Sequence, residues 1–211
     1  MLTEATPRID VERHSLVSAA LRLSYFTIVW NGVVGALALV IGVTTGSLAL
    51  AGFALNALLD SSASVVLVWR FRKERSDPVA AEHLERRAQT WVLAAMAVVA
   101  IYVGIEAIRA LIDGSHPESS AFGFAIAAIS LLVLPVLGVK KLRVAAGLGS
   151  PALRGDGVLT LAAAALAAIT LVALFANSAL DWWWADPAAA LIIAIALAVE
   201  AMRVAVRHRF G

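Results

Sequence analysis

The sequence predicts an all-α, polytopic membrane protein with six transmembrane helices and both termini on the cytosolic side. Hydrophobic residues make up 61% of the 211 residues and the mean hydropathy is +0.87. A soluble domain usually has about 45–50% apolar residues. The chain also divides into six apolar stretches, and its basic residues gather at the joints on one side of them. We therefore expect a lipid bilayer to solvate the excess of apolar side chains.

Each apolar stretch is long enough to cross a bilayer as a helix, which takes about 20 residues at a rise of about 1.5 Å each. The predicted spans cover, in order, about 16–43, 48–69, 88–112, 121–139, 153–175 and 187–206. Residues 1–15 and 207–211 are expected to form cytosolic tails. The six-helix transmembrane domain, residues 16–206, leaves no stretch for a soluble domain of useful size.

The joints between the spans carry turn and helix-end signals. Residues 44–47, Thr-Thr-Gly-Ser, are typical of a tight uncharged turn between the first two spans. Pro78 ends helical structure before it, because proline disfavours helix at the preceding residue. Pro135 predicts a kink in the fourth span. Asp186 and Pro187 have the pattern of an N-cap and first helical residue for the sixth span.

The distribution of charge predicts the orientation. All 17 Lys and Arg residues except Arg109 lie near the N-terminus, in the loops after spans two and four, or at the C-terminal end. By the positive-inside rule, this side is cytosolic. On the other side, three tryptophans at 182–184 are typical of an aromatic belt at the headgroup level. Arginine outnumbers lysine and alanine is abundant, which favours a bacterial inner (cell) membrane.

Composition also excludes several classes of function. There is no cysteine, so disulfides and thiolate metal sites are excluded. None of the four histidines falls within an apolar span, which argues against three-histidine zinc hydrolysis. A net charge of +2 gives no reason to expect nucleic acid as a partner. Without a His/Asp/Ser constellation at an interface, we do not expect an enzyme or a bound cofactor.

The second span carries the best functional clue, Asn56 and Asp60 near its middle. Four residues apart, they share one face of a helix. A lone carboxylate at the bilayer centre costs ~2.5–3.5 kcal/mol, so Asp60 should face protein or water. It could form a cation site or exchange protons. Burial favours the protonated form of a carboxyl group and a bound cation favours the ionised form, so the group can release a proton when a metal ion arrives. Alternatively, Asp60 is protonated, or capped by Asn56, Ser61 or Ser64, and only joins helices.

Other polar residues are weaker candidates. Asn31 in the first span could supply an amide oxygen, although a lone Asn more often forms an interhelical hydrogen bond. Asp156 starts the fifth span, where an acid is also favoured by the helix dipole. Asp186 is better explained as a cap than as a ligand. Three residues before the third span could guide cations to a cytosolic mouth or simply form a solvated charged face: Glu82, His83 and Glu85.

The second span resembles the second helix of the cation diffusion facilitator family. The similarity lies in Gly46-Ser47, followed by Asn56 and Asp60, where the family has an acid or His, three residues, then Asp. The Asp-Pro start of the sixth span is also similar. In the fifth helix, the family's His and Asp follow an Asp by three and seven residues. Counting from Asp156, these positions are Leu159 and Ala163, so half of the family's tetrahedral site is missing.

The segment from Gly52 to Arg70, together with Asp156-Gly157, resembles more closely a divergent branch of that family, typified by transmembrane protein 163. The resemblance implies a cation-efflux-like transmembrane domain, usually a homodimer, that exchanges zinc or a similar divalent metal ion for protons. It implies metal ligation by Asp60 and Asn56, with Asp156 and Asn31 as further candidates. The alternative is a non-transporting membrane scaffold or regulatory protein that retains the fold, as Leu159 and Ala163 suggest.

Overall fold

The computed structural model describes the backbone of residues 6–73, 78–114, 118 and 120–210. Side chains are described at residues 15–69, 72, 94, 96–114, 118, 120–150, 153–203, 205 and 206. The described chain forms six helices joined by short connections: α1 Thr6–Thr45, α2 Leu48–Lys73, α3 Pro78–Asp113, α4 Ala121–Leu148, α5 Pro151–Leu180 and α6 Ala185–Phe210. No strand occurs in these ranges, so the predicted all-α fold with six helices is confirmed.

Local sequence explains where several helices begin and end. Gly46 takes a positive φ of 73° in the turn between α1 and α2, a conformation open to glycine at little cost. Ser120 caps α4 by accepting a hydrogen bond from the Gly123 amide. Gly149, with φ of 61°, ends α4, and Ser150 then caps α5. These signals separate α4 from α5 by a sharp turn, which forces the two helices to run side by side.

Five of the helices contain stretches long and apolar enough to cross a membrane: Ser15–Thr45, Leu48–Trp69, Ala121–Leu148, Leu153–Leu180 and Ala185–Arg203. The predicted third span, about 88–112, lies in α3 and is not among the five; many side chains in the first part of α3 lie outside the described residues. α4 continues as a helix through Pro135. The chain is thus a multi-pass membrane protein.

The described side chains reverse the pattern of a soluble protein. Large apolar residues face outward, such as Ile112 at 78% and Phe122 at 77% exposure. Polar groups instead lie inside the bundle, with Asn31, Asp60 and Lys141 at 1%, 5% and 0% exposure. An apolar outside and a polar inside are what a bilayer solvent requires.

The helices pack mainly as three pairs, α1 with α2, α4 with α5, and α3 with α6. α2 also packs on α3, α5 and α6, which makes it the most widely connected helix described. The buried polar residues around Asp60 and Asp156, described below, belong to α1, α2, α4 and α5. At the end of the bundle where α4 finishes and α5 begins, Lys140, Arg143 and Arg154 are exposed. We call this the basic end.

Candidate functional site

The first contact of the site joins α1 to α2. The Asn31 side-chain amide donates a hydrogen bond of 2.7 Å to Oδ2 of Asp60, and both residues are buried. Oδ1 of Asp60 is also buried, yet it accepts no hydrogen bond from any residue that the structure describes. A buried carboxylate oxygen without a donor is costly, so this atom requires a proton, a water molecule or a cation beside it.

The second contact joins α2 to α4 and α5. Ser64 donates a hydrogen bond of 2.9 Å to Oδ1 of Asp156, and the Lys141 ammonium lies 2.6 Å from Oδ2 of the same carboxylate. Lys141 also donates a hydrogen bond of 3.0 Å to the hydroxyl of Thr160. The Thr160 hydroxyl in turn donates to the backbone carbonyl of Asp156. Both partners of the ion pair are buried, which concentrates charge in a region without bulk water.

The two contacts belong to one polar cluster, which we call the buried polar cluster: Asn31, Asp60, Ser64, Lys141, Asp156 and Thr160. Asp60 and Ser64 are four residues apart on α2, so they lie on the same face, one turn from each other. Ser64 in turn donates to the Asp156 carboxylate, which contacts the Lys141 ammonium. The structure therefore brings Asn31, Asp60 and Asp156, which are far apart in sequence, into a single region.

Formal charge in the buried polar cluster is unbalanced. With both carboxyl groups ionised, Asp60 and Asp156 contribute two negative charges and Lys141 one positive charge. Lys141 is in direct contact with Asp156 and has no such contact with Asp60 among the described residues. The charge left over is that of Asp60, whose buried Oδ1 has no described hydrogen-bond donor, whereas the buried Oδ2 of Asp156 lies 2.6 Å from the Lys141 ammonium. An uncompensated buried charge is unfavourable, so Asp60 is the carboxyl group of this cluster that needs a proton or a cation beside it.

Glycine lets α4 and α5 come close beside the ion pair. A Cβ at Gly138 would lie 2.7 Å from Leu161 side-chain atoms and 3.2 Å from the Gly157 carbonyl oxygen. A Cβ at Gly157 would lie 3.2 Å from the Cβ of Lys141. Small residues at helix interfaces allow this approach in membranes. The two glycines thereby bring the backbone of Lys141 close to that of Asp156.

The remaining predicted ligand, Asn56, is half-buried one turn from Asp60. Ala163, one of the two positions where the family has a ligand, is buried in the apolar core at 1% exposure. Leu159, the other position, is half-buried. Among the described residues, no group of three or more His, Cys, Asp or Glu side chains could hold a metal ion.

Asp60 is not capped in the way that the sequence suggested. The hydroxyl of Ser61 donates to the Ile28 carbonyl, and that of Ser64 donates to Asp156. Asn31 supplies the hydrogen bond to Asp60 instead. It thereby forms the interhelical hydrogen bond that was considered from the sequence as the alternative to metal ligation. The side chains of Glu82, His83 and Glu85, like those of all four histidines, lie outside the described residues.

Asp186 is a cap, but for a different helix from the one predicted. It lies in the first turn of α6, which begins at Ala185, and its carboxylate reaches the start of α2. There it accepts hydrogen bonds from the Ser47 hydroxyl at 2.5 Å and the Leu48 amide at 2.7 Å. The prediction of an N-cap for α6 was therefore wrong. The first amides of α2 have no acceptor within their own helix, and they lie within reach of this side chain.

Lys141 was not identified from the sequence as a site residue, because it was counted with Lys140 among the basic residues that follow the fourth span. The helical period of α4 contained the signal. Its buried residues include Ser130, Leu134 and Gly138, and Lys141 continues this face while Lys140 points outward. Ser24 on α1 and Ser130 on α4 were also missed; both hydroxyls are buried without a described hydrogen-bond partner.

Comparison with known protein families gives one match. The family model for the cation efflux transmembrane domain matches residues 24–209, which is most of the chain. The match includes every residue of the buried polar cluster and extends over parts of all six helices.

Proposed function

The chain belongs to the cation efflux family, a family of metal cation transporters, and from this premise we propose that it moves a divalent cation such as zinc out of the cytosol in exchange for protons. It would act as a homodimer in a bacterial inner membrane, with both termini in the cytosol. The observation that carries the proposal is the buried Oδ1 of Asp60, which no described donor satisfies.

Asp60 is the principal ligand and proton carrier in this proposal. Asn31 holds Oδ2 by its hydrogen bond, which leaves Oδ1 available to either a proton or a cation. Asn56, one turn away, offers a second oxygen. Asp156 serves as a relay between Asp60 and the basic end, because Ser64 links it to the α2 face that carries Asp60.

The choice of ion follows from the ligand chemistry. The candidate ligands are carboxylate and amide oxygens, whereas tight zinc sites usually have four ligands that include nitrogen or sulfur. Oxygen ligands suit manganese and other hard ions at least as well. We therefore expect weak binding and propose Mn²⁺ as a substrate on an equal footing with Zn²⁺.

The test is metal flux into or out of vesicles that contain the purified protein. Asp60→Asn should abolish flux of Zn²⁺ and Mn²⁺, because it removes the charge that a cation and a proton share. Asp113→Asn is the matched control, since Asp113 is an exposed acid at the end of α3. Unchanged flux in Asp60→Asn would remove Asp60 from the mechanism.

A non-transporting membrane scaffold is the second candidate. It is favoured by Leu159 and Ala163 at the positions of the missing ligands and by the Lys141 ion pair, which already neutralises Asp156. Calorimetric titration of the purified protein with Zn²⁺ and Mn²⁺ separates the two functions. Saturable binding supports transport, and its absence together with absent flux supports the scaffold.

A further inference from the structure

Lys141 is the only cation among the described side chains that is fully buried, at 0% exposure. Burying an ammonium group is unfavourable unless it is paired and hydrogen-bonded. Both conditions are met, since Lys141 contacts the Asp156 carboxylate and the Thr160 hydroxyl. The proposed transport mechanism gives this ammonium group no role.

A count of charges shows that Lys141 and a divalent cation compete. Two carboxylates, Asp60 and Asp156, balance the charge of one divalent cation. If the Lys141 ammonium stays beside them, a bound divalent cation leaves one positive charge in excess. That excess charge would lie in a region without bulk water, where repulsion between like charges is strong. Binding of a divalent cation by both carboxylates is therefore favoured when the Lys141 ammonium withdraws.

The position of Lys141 allows this withdrawal. It lies seven residues before the last residue of α4, Leu148, which is about 10 Å along the helix at about 1.5 Å per residue. The next residue toward the basic end, Leu142, is partly buried, and Arg143 is already exposed. A lysine side chain is long and flexible and can turn its ammonium group toward water while its stem stays on an apolar surface.

We propose that Lys141 is a tethered counter-cation: it neutralises Asp156 while no substrate is bound, and a divalent cation displaces it when Asp156 joins Asp60 as a ligand. This inference rests on the proposed function. The displaced ion pair lowers the affinity for the substrate, because binding must first break the contact between Lys141 and Asp156. Lys141 is thus a positioning residue that determines affinity without touching the cation.

The experiment measures binding of Mn²⁺ alone and of Zn²⁺ alone to the purified full-length protein by calorimetry at fixed pH. Lys141→Met should bind each ion about tenfold more tightly than the wild type, because Asp156 is then free and buried without its partner. It should also gain more thermal stability from the metal than the wild type does. Lys141→Arg keeps the charge and should leave both quantities near the wild-type values.

Two further variants serve as controls. Lys140→Met removes an exposed lysine next in sequence and should bind as the wild type does. Lys141→Met combined with Asp156→Asn removes both charges and should lose the gain in affinity. If Lys141→Met is unstable without metal, it can be purified with Mn²⁺ and titrated after exchange into metal-free buffer. Lys141→Gln can also replace it. Affinity equal to that of the wild type in either folded variant overturns the inference.

The outcomes separate this inference from the proposed function. Metal flux in the wild type with unchanged binding in Lys141→Met overturns the role of Lys141 alone. Tighter binding by Lys141→Met than by a wild type that binds metal but shows no flux supports the tethered counter-cation and contradicts transport. Absence of binding in the wild type and in Lys141→Met contradicts the proposed function as well as the role of Lys141.

Discussion

Asn31 on α1 donates a buried hydrogen bond of 2.7 Å to Asp60 on α2, a residue 29 positions later in the chain. The contact fixes one carboxylate oxygen and leaves the other without a described donor. With Oδ2 held in this way, the Asp60 carboxyl group has one oxygen, Oδ1, available to a proton or a cation. The amide of Asn31 therefore contributes both to helix packing and to the orientation of the proposed ligand.

Asn31→Ala should destabilise the protein by about 1–2 kcal/mol, because it removes the hydrogen bond and leaves Oδ2 of Asp60 buried without a donor. Unfolding of the purified protein by SDS, followed by tryptophan fluorescence, measures this change. Ser62→Ala is the control, since Ser62 is exposed and bonds only within its own helix. Equal stability of Asn31→Ala and the control would contradict a structural contribution from this bond.

The contact between Ser47 and Asp186 fastens α2 to α6. Ser47→Ala should cost about 1–2 kcal/mol, because the Asp186 carboxylate loses a donor and the Leu50 amide loses its acceptor, the Ser47 hydroxyl. The same unfolding measurement tests it, with Ser178→Ala, an exposed serine near the end of α5, as the control. Metal binding should not change, since neither residue belongs to the buried polar cluster. A loss of binding without a loss of stability would count against this assignment.

Close packing of α1 on α2 depends on Gly42. A Cβ there would lie 2.8 Å from the Ala51 backbone nitrogen, so Gly42→Ala must push the two helices apart and should cost about 1–3 kcal/mol. Gly32→Ala is a sharp control on the same helix. A Cβ at position 32 meets nothing within 4 Å, and alanine favours a helix over glycine by about 0.5–1 kcal/mol. The two substitutions should therefore shift the unfolding midpoint in opposite directions.

Local pattern was enough to predict the six helices and to direct attention to Asp60 on α2. Apolar length and the turn at Gly46 are local properties, and Asp60 stood out because lipid does not tolerate a lone acid. The family match then confirmed the resemblance to cation diffusion facilitators; the closer resemblance to transmembrane protein 163 stays a prediction.

Contacts between distant residues could not be read in the same way. Asp186 was assigned to its own helix because a cap is recognised from neighbouring residues, whereas its real partners are Ser47, Leu48 and Ala49. Lys141 was counted among the cytosolic basic residues after the fourth span because it stands beside Lys140 and Arg143 in the sequence. Its burial depends on helical phase and on the approach of α5, which only the packed structure specifies.

The pair formed by Lys141 and Asp156 leads to a prediction about stability that is independent of metal. Asp156→Asn leaves the Lys141 ammonium buried without its carboxylate and should destabilise the protein by about 3–5 kcal/mol. Asp60→Asn should cost much less, since Asp60 has no direct ion pair among the described residues and its bond to Asn31 can be kept by an amide oxygen.

The matched test replaces both charges at once. Lys141→Met combined with Asp156→Leu should recover most of the stability lost in Asp156→Asn, because removing both partners of a buried ion pair avoids an orphaned charge. Unfolding by SDS in metal-free buffer compares the wild type, Asp156→Asn and the double variant. If the double variant is as unstable as Asp156→Asn alone, then the loss comes from the Ser64 contact or from packing between α4 and α5, and the ion pair is not its cause.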